Sequence, residues 1–140
     1  MQKFMIQLQV QHCEMDALGH VNNAVYLKYL EQAAIAHSEF LGFSLERYRE
    51  LGGFFVLRRM TIDYRRPAIA GDVLEIMTWV GEMRGSRAIR HYEIHKQGYE
   101  QLLVTAEALW IWVKAATMNP KAIPRDLLSA FQNLKATEIS

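Results

Sequence analysis

Between residues 3 and 12, Phe4, Ile6, Leu8 and Val10 alternate with Met5, Gln7, Gln9 and Gln11. A period near two predicts a strand with one buried face. Residues 13–22 break that alternation, and Asp16, Gly19 and the Asn22-Asn23 pair carry turn chemistry. From Ala24 to Leu41 the spacing becomes helical, with Tyr26, Leu30, Ala33, His37 and Phe40 on one face and Lys28, Gln32 and Glu39 opposite. Asn22 or Asn23 is the expected N-cap and Gly42 the residue past the end. A short helix is expected over 44–51, capped by Ser44 and stopped by Gly52-Gly53.

Beyond Gly53 the period returns to two. Strands are predicted at 54–66, 72–83, 87–97 and 99–114, separated by Pro67…Gly71-Asp72, Arg84-Gly85-Ser86 and Gln97-Gly98. Short turns between long strands imply antiparallel hairpins, here a four-strand meander. The tail from Asn119-Pro120 reads as a loop and a short amphipathic helix, with Leu127, Leu128, Phe131 and Leu134 on one side. A strand, a long helix and four more strands predict an α+β layer packing, the element order of a hotdog fold.

The chain has 140 residues, 51% hydrophobic and 22% charged, which suits a single domain over 1–140 with its own core. Sixteen Lys+Arg against fifteen Asp+Glu leave +1, which argues against a nucleic-acid partner but leaves room for a small basic patch. The lone Cys13 excludes an internal disulfide framework and a cysteine metal cluster. The polar start does not resemble a signal peptide, and no apolar run approaches a membrane span, so a cytoplasmic setting is expected.

Chemistry is first narrowed by elimination. No phosphate loop, dinucleotide fingerprint, hydrolase serine elbow or HExxH is present. His91 and His95 sit on a strand, ~13 Å apart, too far to share an ion, so no metal and no cofactor is expected. Cys13 stands near His12 and His20, but nothing local orients a base or stabilises a thiolate, and it reads as a small apolar residue at a strand end. Arg58, Arg59, Arg65, Arg66, Arg84, Arg87, Arg90 and Lys96 read as exposed strand-face residues, a few of which suit a phosphate.

The strongest candidate is the loop-to-helix junction from Asp16 to Asn23. A helix start offers free N–H groups and the positive end of a dipole, which polarise a carbonyl and hold an oxyanion. A carboxylate just upstream is placed to attack that carbonyl or to activate water against it. Glu31, two turns into the helix, reads by spacing alone as an exposed residue paired with Lys28.

Two blocks carry a family resemblance. GHVNNAVYLKYLEQA (19–33), preceded by Asp16, resembles the signature of the 4-hydroxybenzoyl-CoA thioesterase-like hotdog family. IDYRRPAIAGDVLEI (62–76) resembles its long-chain acyl-CoA thioesterase branch, the FadM type. The resemblance spans roughly residues 4–114. It implies a five-stranded antiparallel sheet wrapped around the long helix, and hydrolysis of acyl-CoA to free acid and CoA. It further implies Asp16 as the catalytic carboxylate, the Asn23 backbone N–H as the carbonyl polariser and Glu31 as a third catalytic position. His20, Asn22, Tyr26, Arg65 and Arg66 are expected to bind substrate. Many members carry His where this chain has Asn23, so only the backbone of that residue inherits a role. A homodimer or homotetramer is implied, with the site between subunits. An acyl carrier protein thioesterase and a non-catalytic acyl-thioester binding module are the alternatives.

Overall fold

The computed structural model describes residues 3–132. Five strands, β1 (Phe4–Gln9), β2 (Gly53–Tyr64), β3 (Val73–Arg84), β4 (Arg87–Lys96) and β5 (Leu102–Lys114), form one antiparallel sheet in the order β1-β3-β4-β5-β2. Helices α1 (Asn23–Phe40) and α2 (Leu45–Leu51) fall between β1 and β2, and α3 (Arg125–Gln132) follows β5.

The sheet order corrects the expected meander. β3, β4 and β5 are sequential hairpin partners, but β2 pairs with β5 rather than β3. The reason lies in residues 65–72, which carry Pro67. They are too long for a tight hairpin, and they lead the chain from one edge of the sheet to a strand beside β1. The first strand is also shorter than expected, and a 3₁₀ turn at His12–Glu14 follows it. Cys13 lies exposed in that turn, rather than packed at a strand end.

Alternation sets the core. Leu74, Ile76, Thr78 and Val80 of β3 share a buried face with Ala88, Arg90, Tyr92 and Ile94 of β4. Tyr26, Tyr29, Leu30 and Ala33 of α1 pack in the same core as Leu74, Ile76, Tyr92, Ile94, Val104 and Ala108. Ala33 and Ala34 keep the helix slim where it nears the strands. His37 is buried as expected, whereas Phe40 is 67% exposed because it sits in the last turn, tilted against Phe4.

One expectation on β4 fails. Arg90 is buried, not exposed, because its parity is that of Tyr92 and Ile94 rather than that of the outward residues. Leu127 and Phe131 of α3 close a second apolar cluster with Phe43, Val80 and Trp112. Leu134 lies outside the described residues. Among the described residues no helix is long and apolar enough to cross a membrane.

Candidate active site

The loop between β1 and α1 folds back on itself as a short ribbon. The Asp16 N–H donates to the His20 carbonyl at 2.7 Å, Met15 bridges Val21, and the Asn22 N–H donates to the Glu14 carbonyl at 3.0 Å. A tight turn closes the ribbon, with the Gly19 N–H donating to the Asp16 carbonyl. Gly19 holds φ 83°, a left-handed conformation that strains any residue with a Cβ.

The Asp16 carboxylate organises this turn. Its Oδ1 accepts the N–H of Leu18 at 2.9 Å and that of His20 at 3.3 Å. Both bonds use one oxygen, so Oδ2 remains available to another partner. Asp16 is exposed, as are His20, Asn22 and Asn23.

The helix start lies at the other end of the same ribbon. Asn22 caps α1: its side-chain Oδ1 accepts from Ala24 N–H at 2.9 Å and its carbonyl from Val25 N–H. The cap thus serves Ala24 and Val25 and leaves the Asn23 N–H over. Two residue pairs separate Asp16 from Asn22, ~7 Å of extended backbone.

Residues that the sequence reading did not single out brace the ribbon. Glu14 Oε1 accepts from Gln11 N–H and from the Tyr29 hydroxyl, both at 2.8 Å. Burial, and then the hydrogen bond to Glu14, push the Tyr29 hydroxyl well above its ordinary pKa, so it stays a donor. The Tyr64 hydroxyl donates to the Asn23 carbonyl at 3.0 Å, and Val21 N–H to the Ala68 carbonyl at 2.9 Å. The signal for Glu14 was the Q-x-x-E spacing of a capping box, which its contacts with Gln11 fulfil.

The remaining expected residues fall in three places. Tyr26 is buried, and its hydroxyl accepts from Ala68 N–H at 3.2 Å, tying the helix to the 65–72 connection. Arg65 and Arg66 are exposed on that connection, three and two residues from the Ala68 carbonyl that holds Val21. Arg65 Nε also reaches Thr105 Oγ1 at 3.4 Å. Glu31 is exposed on α1, eight residues and ~12 Å past Asn23, and is not gathered into the ribbon. It makes no ion pair with Lys28 among the described residues, which corrects the pairing expected from spacing. Its charge lies near Tyr92, whose hydroxyl burial pushes up; Glu31 adds to that push and Arg90 opposes it. No cluster of three metal-ligating side chains occurs among the described residues.

A five-stranded antiparallel sheet packed on one long helix is the hotdog fold of thioester hydrolases. The chain belongs to the thioesterase-like superfamily, whose family model matches residues 10–131. It is 31% identical to the acyl-CoA thioester hydrolase YbgC of Escherichia coli O6:H1, over 89% of this chain and 92% of that one. It is 26% identical to the long-chain acyl-CoA thioesterase FadM of Escherichia coli K12, over 91% and 96%. Among solved structures, the 1,4-dihydroxy-2-naphthoyl-CoA thioesterase Slr0204 from Synechocystis superimposes with a TM-score of 0.87 at 22% identity, covering 95% of this chain and 98% of that one.

Proposed function

We propose that the protein hydrolyses acyl-CoA thioesters to a free carboxylic acid and CoA, with Asp16 as the catalytic carboxylate. The observation that carries this reading is the ribbon, which joins the Asp16 turn to the start of α1, where the Asn22 cap leaves the Asn23 N–H over. The names of the curated relatives YbgC and FadM support the substrate class.

The thioester carbonyl lies between the two groups, its oxygen on the Asn23 N–H and the α1 dipole. Asp16 Oδ2 then removes a proton from water as it adds to the carbonyl carbon, or adds to that carbon itself. In the first route the tetrahedral intermediate collapses and expels the CoA thiolate. In the second, an acyl–aspartyl anhydride forms as the thiolate leaves, and water hydrolyses it. Both routes consume one water and give one acid and one thiol. General-base help is worth ~10²–10⁴-fold and an oxyanion donor ~2.7–4 kcal/mol.

Arg65 and Arg66 supply positive charge at the same end of the molecule, suited to the phosphates of CoA. His20 and Asn22 form the rim of the site. Glu31 belongs to the reading only as a residue reached along α1 from Asn23. A second copy of the chain completes the site in this proposal, as a homodimer or homotetramer in the cytoplasm. Leu18, 82% exposed beside Asp16, is an apolar group suited to burial by such a partner, and burial there would exclude bulk water.

The test is CoA release from a panel of acyl-CoAs, short to long and including aromatic thioesters, beside the same acyl groups on acyl carrier protein. Turnover of at least one acyl-CoA with a higher kcat/KM than its carrier-protein counterpart is expected. Preference for the carrier protein would transfer the proposal to acyl carrier protein thioesters. Tight acyl-CoA binding without turnover would make the protein a binding module.

A further inference from the structure

The C-terminal half of α1, the sheet and α3 line a partly open cavity of about 150 Å³, with Ala34, Ser38, Val80, Ala88, Trp110 and Phe131 around it together with Arg90. Its walls are mostly apolar; the polar groups of its lining residues are Arg90, the Ser38–Tyr48 hydroxyl pair and the unpartnered Trp110 Nε1. Ala34 lies eleven residues along α1 from Asn23, ~16 Å away, so the cavity is separate from the Asp16 ribbon.

Arg90 is only 6% exposed. Its Nη1 meets His37 Nδ1 and Thr78 Oγ1, each at 3.0 Å, and it makes no other hydrogen bond among the described residues. Neither partner supplies negative charge. Thr78 already donates its hydroxyl hydrogen to the His91 carbonyl, so it accepts from Arg90. A guanidinium has no acceptor, so His37 Nδ1 must also be the accepting nitrogen. His37 is neutral at pH 7, because burial and then the Arg90 charge hold its pKa at about 4. No carboxylate lies within ion-pair distance of Arg90 among the described residues. Stacking on the Phe131 ring, 5.5 Å from Cζ, offsets only part of the desolvation.

A buried guanidinium without a counter-ion is a poor stabilising device, because pairing is what normally offsets its desolvation. Here it stands on the wall of an apolar cavity, with no carboxylate beside it among the described residues. We propose that this cavity is a binding site for a small monocarboxylate with an apolar body, its carboxylate paired with Arg90 and its body against Ala34, Val80, Ala88 and Phe131. A chamber of this volume holds a body of roughly six carbons, the size of a benzene ring. The acid released by a thioester hydrolase belongs to the same class, but the site stands on geometry alone and its test needs no turnover. Glu138, which lies outside the described residues and six beyond α3, is a second source of the same carboxylate chemistry.

Calorimetry and thermal shift with benzoate and hexanoate on the full chain test the proposal, with benzyl alcohol and 1-hexanol as neutral counterparts. Both acids are expected to bind at one per chain and to raise Tm, and the alcohols to do neither. Arg90→Met should weaken the acids by at least about tenfold while leaving the ligand-free Tm equal to or above that of the wild type. Ala34→Leu, which fills the chamber from the helix side without touching Arg90, should abolish binding even where Arg90→Met fails to fold. Acid binding unchanged in either variant would overturn the site, as would absence of binding to the wild type. Binding to Glu138→Gln but not to the wild type would assign Arg90 to the chain's own carboxylate and overturn the free-ligand proposal.

Discussion

Asp16 and His37 occupy opposite environments, one in solvent at the start of α1 and the other in the core near its end. Asp16 stands in solvent with one oxygen fixed by two backbone N–H groups, so the turn holds its direction without burying its charge. His37 is 3% exposed and faces Arg90. Of the other neighbours, the rings of Phe4 and Phe131 are uncharged, and Ser38 and Tyr48 add neutral hydroxyls. Burial first and the Arg90 charge second hold His37 at about 4, below its ordinary 6.5. An unfolded chain therefore takes up a proton at His37 between pH 6.5 and 4 that the folded chain refuses. Stability should be full above pH 6.5, fall as pH drops towards 4 and lose nothing further from this group below that. The loss amounts to up to roughly 3 kcal/mol. Urea unfolding from pH 7 to pH 4 measures it, and His37→Gln should flatten that part of the profile.

At the scale of elements, the close approach of β2 to β5 depends on one glycine. A Cβ at Gly53 would lie 2.6 Å from the Trp112 ring and 2.6 Å from the Val113 carbonyl oxygen. Backbone oxygen cannot turn aside, so Gly53→Ala must shift the strand start or the indole, at a cost of ~1–3 kcal/mol. Thermal unfolding should show a Tm several degrees lower. Gly52, whose φ of 73° ends α2, has open space at its Cβ and should suffer through backbone strain instead. The elements themselves were largely legible in the sequence. Periods of two and 3.6 placed α1, α2 and the strands to within a few residues, and the Asn22 cap and Gly42 stop are where the sequence put them. The order of strands was not legible, since hairpin-like spacing says nothing of a chain crossing from one sheet edge to the other. Arg90 sets residue type against parity: a charged side chain suggests an outward face, but its phase with Ala88, Tyr92 and Ile94 puts it inside. Of the candidate site, Asp16, His20, Asn22 and Asn23 are joined by the ribbon. The Glu14–Tyr29 brace depends on a helix meeting a loop, which no local pattern reports.

For the whole molecule, two features lie at opposite ends of one helix. The N-terminal end of α1 presents an exposed carboxylate and a free N–H, and the C-terminal half lines a partly open cavity with a buried cation on its wall. About 16 Å of helix separates them, so either can be altered without touching the other. A net charge of +1 sets no strong field across this surface, and anion binding has to come from individual arginines such as Arg65, Arg66 and Arg90. Everything proposed about catalysis converges on one oxygen, Asp16 Oδ2. Asp16→Asn keeps an Oδ1 that can accept the Leu18 and His20 N–H groups, so the turn and the fold should survive while the negative charge is lost. The most direct measurement is kcat for CoA release by this variant, on the best acyl-CoA of the panel, with Tm recorded alongside. A fall of at least ~10²-fold at unchanged Tm is predicted; a kcat within about twofold of the wild type would contradict the assignment of Asp16 as the group that acts on the thioester.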